Sequence, residues 1–325
     1  MKMIVIDTLG GDNGALPLIE GTAEYMNSCG GIIPILVGDK TLISSVMEAK
    51  GIFEDKFEVI ATDEFISNEQ PPMCIFGGCH NSSMALALEY LRDNDCAGLI
   101  SAGNTGALLI GTICRLGLVK GLRNPALSTA LPNINGGYTC LVDCGANVDC
   151  SPADLLRFGK MGSAFMQSMY GITSPRVANL STGCEKGKGN QSAKEAYDIL
   201  EKSQLNFVGN VEGSDVMLDK ADVIVCDGFA GNVILKNTEA TGKIAAAIAK
   251  AYLDSNSDTN GDQLFKYLTN EFDFNSRGGA TFLGTKKTVV KMHGAANSST
   301  AVSCIKQVMR LSESGFDKAI ENALN

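Results

Sequence analysis

Short β-branched and apolar runs occupy residues 3–6, 32–37, 57–60, 97–100, 139–142, 176–179, 207–208 and 223–226, and most of them run into Asp, Gly or Asn. Between these runs, apolar positions recur every three or four residues over 16–28, 82–94, 106–118, 155–170, 191–201 and 231–253, a spacing that predicts helices. Strands alternating with helices predict an α/β protein, a parallel sheet with helices on its faces. A late strand is predicted over 288–292 and a closing helix over 298–312. The polar stretch DSNSDTNGD at 254–262 predicts an exposed loop between the long Ala-rich helix and 264–269.

Composition narrows the class. Of 325 residues, 45% are hydrophobic and 19% charged, with 36 Gly against 8 Pro, the balance of a folded chain. The length admits two domains or one large α/β body. Lys and Arg number 27 and Asp and Glu 36, a formal net charge of −9 that lacks the positive field needed for nucleic-acid binding. The apolar stretch before Asp7 is far shorter than a signal-peptide core or a membrane span, so a cytoplasmic protein is expected. Eleven cysteines among apolar neighbours read as reduced thiols. No C-x-x-C pair occurs, and the two histidines, His80 and His293, lie far apart in sequence, so no metal site is expected.

Five loops after predicted strands share one chemical style. They are Gly10-Gly11-Asp12-Asn13, Ser101-Ala102-Gly103-Asn104-Thr105-Gly106, Asp143-Cys144-Gly145-Ala146-Asn147, Asn210-Val211-Glu212-Gly213 and Asp227-Gly228-Phe229-Ala230-Gly231-Asn232. Gly and Asn tolerate left-handed backbone, so such loops either make tight strand-to-helix turns or point successive N–H groups at one anion. In an open parallel sheet these loops gather at the carboxyl ends of the strands, beside helix N-termini. Asp12, Asp143 and Asp227 read as helix caps or as proton acceptors. His293 shares its segment with Lys286, Lys287 and Lys291, which suits either an anionic substrate or a charged surface strand. His80 beside Ser82 and Ser83 suggests a nucleophile and base, but sequence neighbours rarely face each other as a triad requires. No P-loop and no dinucleotide fingerprint is present, and no cofactor is expected.

These loops resemble the PlsX family, phosphate acyltransferases that make acyl phosphates from acyl carrier protein thioesters and inorganic phosphate. The matching motifs run in order through DTLGGDN, VGD at Val37, NSSM at Asn81, ISAGNTGAL at Ile100, VDCGANVD at Val142, SPRV at Ser174, the Lys188-Gly189-Asn190 segment, NFVGNVEG at Asn206, VCDGFAGNVILK at Val225 and VKMHGAAN at Val290. The resemblance implies a three-layer α/β/α fold like those of isopropylmalate dehydrogenases and phosphotransacetylases, in a single domain over 1–325 with a small lobe or tip around 245–275. It also implies a homodimer acting in fatty acid and phospholipid synthesis. Departures from the family pattern concern charge. Ile75-Phe76-Gly77-Gly78-Cys79-His80 stands where relatives carry Arg or Lys, Asn124 precedes Pro125 in place of Arg, and Lys186 replaces an acid. The apolar, basic hairpin of relatives near 250–270 is replaced by a polar stretch, so membrane contact is expected to be weak or absent.

The reaction so implied is attack of phosphate on a thioester carbonyl, which needs positioning, oxyanion stabilisation and charge compensation. Asn104, Asp227, Lys236 and His293 are the catalytic candidates. Substrate-binding candidates are Gly10, Gly11, Asp12, Asn13, Ser101, Gly103, Thr105, Gly106, Asp143, Asn147, Glu185, Lys188, Asn210, Glu212, Gly228, Phe229, Gly231, Asn232, Lys291 and Asn297. The alternatives are a paralogue using acyl-coenzyme A or a short acyl thioester, and a non-catalytic subunit that binds an acyl or phosphate ligand.

Overall fold

The structure, a computed structural model, describes residues 1–256, 263–264 and 277–325. The chain forms two compact units, one of Met1–Leu127, Gln167–Ile172 and Gly278–Asn325, the other of Ser128–Met166 and Thr173–Arg277.

In unit 1 the strands are β1 (Lys2–Asp7), β2 (Ile32–Gly38), β3 (Glu58–Ala61), β4 (Cys96–Ser101), β10 (Ala280–Leu283) and β11 (Val289–Lys291), in the order β3-β2-β1-β4-β11-β10. Every pair is parallel except β10 with β11. Helices α1 (Leu16–Ser28), α2 (Lys40–Ala49), α3 (Ser83–Asp93), α4 (Thr105–Leu116), α8 (Ser298–Ser314) and α9 (Phe316–Leu324) belong to the same unit. Ile4, Ile6, Leu36 and Ile100 from the strands meet Leu18, Ile19, Ile43, Met47, Ile305 and Val308 from the helices in one buried cluster. Each such side chain, fully buried, favours the fold by about 1.5–3 kcal/mol before chain entropy is counted.

In unit 2, β5 (Ala126–Pro132, from Ser128 onward), β6 (Tyr138–Val142), β7 (Arg176–Leu180), β8 (Asn206–Val211) and β9 (Val223–Val225) run in the order β5-β6-β9-β7-β8. Only β5 with β6 is antiparallel. Helices α5 (Pro152–Tyr170, in this unit through Met166), α6 (Gln191–Glu201) and α7 (Gly228–Asn256) follow β6, β7 and β9. Leu131, Leu141, Ala178, Val211 and Ile224 anchor its core. None of the eleven cysteines is in a disulfide. Among the described residues no helix is long and apolar enough to cross a membrane.

The predicted elements are found, with differences of known cause. The pattern omits α2, which buries only Ile43 and Met47, and β5, whose run follows Pro125 and ends on Pro132. It omits β10, four residues long, and α9. Strand β8 extends to six residues where two were predicted, because Gly209 and Asn210 interrupt the apolar pattern without ending the pairing. Helix α7 runs on to Asn256, three residues into the predicted 254–262 loop. The rest of that loop, most of 264–269 and the later part of the expected 245–275 tip lie outside the described residues.

Candidate functional site

Unit 1 brings three strand ends together. The parallel register sets Asp7 of β1 beside Ser101 of β4, and Ser101 beside Lys291 of β11. Ser101 Oγ donates to Asp7 Oδ2 at 2.7 Å and accepts from the Gly103 N–H at 3.1 Å, so one hydroxyl joins the first strand to the second loop. Asp7 is buried, and that loss of solvent pushes its pKa up to about 6 against the hydrogen bonds of Ser83, Ser101 and the Leu9 N–H and the charge of Lys291. Lys291 Nζ donates to the Ala102 carbonyl at 3.1 Å.

The first two Gly-rich loops cross at close range. Gly10 has φ of 82°, and a Cβ there would stand 3.0 Å from Gly103 Cα, so this crossing requires glycine. The Asp12 N–H donates to the Gly294 carbonyl at 2.8 Å and Asn13 Nδ2 to the Ala296 carbonyl at 3.0 Å, which ties Gly10–Asn13 to the segment carrying His293 and Asn297. His293 Nδ1 accepts from the Ala295 N–H at 3.2 Å, which puts the proton of a neutral ring on Nε2. Asn104 caps α4: its Oδ1 accepts from the Ala107 N–H at 3.0 Å and its Nδ2 donates to the Ser67 carbonyl at 3.1 Å. Thr105 and Gly106 open that helix, and Asn297 caps α8 by accepting from the Thr300 N–H at 3.1 Å. Ser82 is likewise a cap, donating to the Cys79 carbonyl, while His80 faces the Gly77 carbonyl, so the two side chains have separate partners.

In unit 2 the corresponding acid behaves differently. The Asp143 carboxylate, fully buried, accepts from the N–H groups of Gly145 at 3.1 Å, Ala146 at 3.0 Å and Asn147 at 2.7 Å, and from Asn147 Nδ2 at 2.7 Å. The convergence of N–H groups is the one the Gly and Asn pattern predicts, and the anion it holds is the loop's own. The first turn of α7 packs on this loop. The Gly228 N–H donates to the Asn147 carbonyl at 2.6 Å, and a Cβ on Gly231 would stand 1.8 Å from the Asp143 carbonyl oxygen. Asp227 caps the turn by accepting from the Ala230 N–H at 2.7 Å. Asn232 lies alongside Gly145. Phe229 is 66% exposed, and Lys236 pairs with Glu239 at 2.9 Å on the outer face of α7.

A pocket of about 200 Å³ opens beside this turn, lined among others by Asn179, Ser181, Thr182, Gly189, Asn190 and Asp227. Two helices begin at it. Asn190 caps α6 through the Ala193 N–H at 2.8 Å, and Asp227 caps α7, so both N-terminal dipoles favour negative charge there. Asn179 Nδ2 donates to Asn210 Oδ1 at 2.9 Å, and Asn210 Nδ2 to the Glu185 carbonyl at 3.0 Å, so Asn210 joins the pocket residue Asn179 to the loop that carries Glu185, and neither Asn210 nor Glu185 itself lines the pocket. Asn179 Oδ1 and Ser181 Oγ are buried without a hydrogen-bond partner, a costly state unless a bound polar group completes it. Glu212 and Asp215 form a reciprocal cap around a short turn, and with exposed Cys184 bring possible ligand atoms within 4.8 Å of one another.

Within unit 1 the predicted residues Gly10–Asn13, Ser101–Gly106, Lys291, His293 and Asn297 therefore share one end of the sheet. Within unit 2 Asp143, Asn147, Gly228, Gly231 and Asp227 form one packed corner. Sequence reasoning missed Asp7, Asn179, Ser181 and Asn190 as site residues. Asp7 and Asn190 stand inside quoted motifs and Asn179 ends a predicted strand, whereas Ser181 belongs to neither.

The family described as "Fatty acid synthesis protein" matches residues 2–319. A phosphate acyltransferase of Thermoanaerobacterium thermosaccharolyticum is 37% identical over 316 residues, 95% of this chain and 93% of that protein. A phosphate acyltransferase of Bacillus subtilis is 36% identical over 326 residues, with the same coverage of 95% and 93%. Among solved structures, a phosphotransacetylase from Streptococcus pyogenes aligns over 96% of this chain and 94% of its own with a TM-score of 0.66 at 14% identity. A branched-chain phosphotransacylase from Enterococcus faecalis V583 aligns over 96% and 99% with a TM-score of 0.62 at 15% identity. Those two share the fold, a mostly parallel sheet in three α/β/α layers. Family match and full-length identity together establish that this chain belongs to the PlsX family of phosphate acyltransferases, proteins of fatty acid synthesis.

Proposed function

We propose that this protein transfers an acyl group from an acyl carrier protein thioester to inorganic phosphate, supplying acyl phosphate for phospholipid synthesis. A phosphate oxygen forms the new C–O bond, the C–S bond breaks, and the thiolate leaves; phosphate is itself the nucleophile, so no covalent enzyme intermediate is required. The protein's task is to hold a dianion, stabilise the carbonyl oxyanion and offset repulsion between negative partners. The carrying observation is the unit 2 pocket, where two helix N-termini meet the buried Ser181 hydroxyl, a donor without a partner of its own. In this reading Asp227 and Ala230 line the pocket, and Glu185 and Lys188, on the loop whose two ends line it, are substrate-binding candidates. In unit 1, Gly103 to Thr105 offer an oxygen site, with Lys291 and His293 compensating charge; Lys236 is the unit 2 candidate for that role.

The test is one assay of purified protein with phosphate and a panel of thioesters, measuring free thiol and acyl phosphate together. Stoichiometric appearance of both supports the reading, and thiol release without acyl phosphate rejects it. A coenzyme A thioester as donor is the second reading. It is favoured by the 72–76 turn, where Met73 and Phe76 are exposed and Ile75 is buried, in place of the cationic side chains the family resemblance leads one to expect. Rates with carrier-bound and coenzyme A thioesters of one chain length separate the two.

A further inference from the structure

We propose that Lys186 is a positioning residue: it tethers the pocket loop of unit 2 to the outer half of α6, so that affinity at the pocket depends on an ion-pair network outside it. The proposal rests on the pocket being the substrate site.

The loop Ser181–Asn190 leaves β7 and enters α6, and its two ends line the pocket through Ser181, Thr182, Gly189 and Asn190. Its middle, residues 184–188, is exposed, and Gly187 and Gly189 both take positive φ, so chain stiffness and apolar burial do little to fix it. Two side-chain contacts hold it instead. Asn210 Nδ2 binds the Glu185 carbonyl at 3.0 Å from below. From the other side Lys186 Nζ reaches Asp198 at 3.0 Å and Glu201 at 2.6 Å, and lies 5.0 Å from the centre of the Tyr197 ring.

Those three partners occupy the C-terminal half of α6, whereas the pocket lies at its N-terminal cap. Lys186 is thus directed away from the ligand and cannot compensate its charge. Tyr197 packs edge-on against Phe207 of β8, with ring centroids 5.1 Å apart, so the platform under the ammonium is itself anchored to the sheet. An acid at position 186 would face Asp198 and Glu201 with like charge, whereas the Lys186 ammonium attracts both and makes this edge a latch.

Such a latch, half exposed, is sensitive to salt. Lys186→Met keeps the stem and removes the charge; it is expected to raise the KM for thioester or phosphate about two- to tenfold with kcat within about twofold. It is also expected to speed amide exchange over 183–188 several-fold. Lys186→Arg is expected to restore both, and 0.5 M NaCl to bring the parent protein's KM toward that of the Met variant. Unchanged exchange, unchanged KM, or a parallel fall in kcat and melting temperature that Arg does not rescue overturns the tether. If the parent forms no acyl phosphate from any thioester, the transfer reading fails on its own, and the exchange comparison still decides whether Lys186 holds the loop.

Discussion

Asp7 in unit 1 ends the buried strand β1 and Asp143 in unit 2 directly follows the buried strand β6; each precedes a loop rich in Gly and Asn, and each is shielded from solvent. Their surroundings differ. Asp7 meets hydroxyl donors, one long N–H contact at 3.4 Å and the field of Lys291, and it titrates near pH 6. Asp143 is wrapped by four N–H donors of its own loop, none longer than 3.1 Å. The same short sequence style therefore produces one group able to exchange a proton near neutral pH and one that serves as the internal scaffold of a turn. Loop composition alone does not distinguish a ligand nest from a self-filled one; the number of donors that reach the strand-end acid does.

The comparison is tested hardest at the glycines that let each loop pack. Gly231→Ala puts a methyl 1.8 Å from the Asp143 carbonyl oxygen, backbone against backbone, and is expected to destabilise unit 2 by more than about 3 kcal/mol or to prevent folding. Gly10→Ala meets Gly103 Cα at 3.0 Å with φ of 82°, and about 1–3 kcal/mol is expected. Denaturant unfolding of both variants checks the order; equal losses would show that the two corners are packed alike.

Next come the acids themselves. Asp143→Asn replaces an accepting oxygen by a donor among N–H groups, and a loss of about 2–4 kcal/mol is expected. Asp7→Asn is expected to have the opposite sign at pH 8. The folded pKa of about 6 lies above the unfolded 3.8, so the contribution of Asp7 is fully present below pH 4 and is lost as the pH rises through 6. At pH 8 the buried charge costs up to about 3 kcal/mol, which Asn removes. Melting curves from pH 4 to 8 check this: a parent whose stability does not fall across that window more than that of Asp7→Asn would show that Asp7 is not the proton-active member.

Much of the fold was legible because burial imposes period. The strands 3–6, 97–100 and 139–142 are nearly continuous apolar runs, and each is an interior strand paired on both sides. Elements that bury little, such as α2, or that pair at an edge through Gly and Asn, such as β8, leave weak or interrupted patterns. The site was legible as loops but not as roles. Asn104 reads the same in sequence whether it faces a ligand or caps α4, and it is the cap geometry, with both ends of the amide engaged, that separates the two. Asn179 went unnoticed because it follows the buried apolar pair Val177 and Ala178 within a strand; its significance lies in an oxygen without a partner, which only three-dimensional packing exposes.

Asn104 allows a smaller test. Asn104→Ala removes the cap of α4 and the contact to Ser67, and about 1–2 kcal/mol of stability is expected to go with it. Asn104→Asp keeps the cap and loses the amide donor, so it is expected to recover most of that stability. If acyl-phosphate formation stays impaired in the Asp variant while the melting temperature recovers, Asn104 acts on substrate as well as on the helix; full recovery of both confines it to capping.

Lys236 is where the smallest structural effect meets the clearest functional question. Its ammonium pairs with Glu239 on an exposed face, and such a pair contributes little, so Lys236→Ala is expected to shift the melting temperature by less than about 1 °C. Any change in catalysis then reports charge at the site and not folding. His293 in unit 1 is held at Nδ1 by the Ala295 N–H, which orients the ring, and His293→Ala is expected to raise the KM for the thioester about tenfold. Lys236→Ala is expected to raise it by no more than about twofold, because Glu239 already offsets that charge. Measured side by side, the reverse order would move charge compensation from the proton-active corner around Asp7 to the self-filled corner around Asp143, and would invert the division of labour drawn between them.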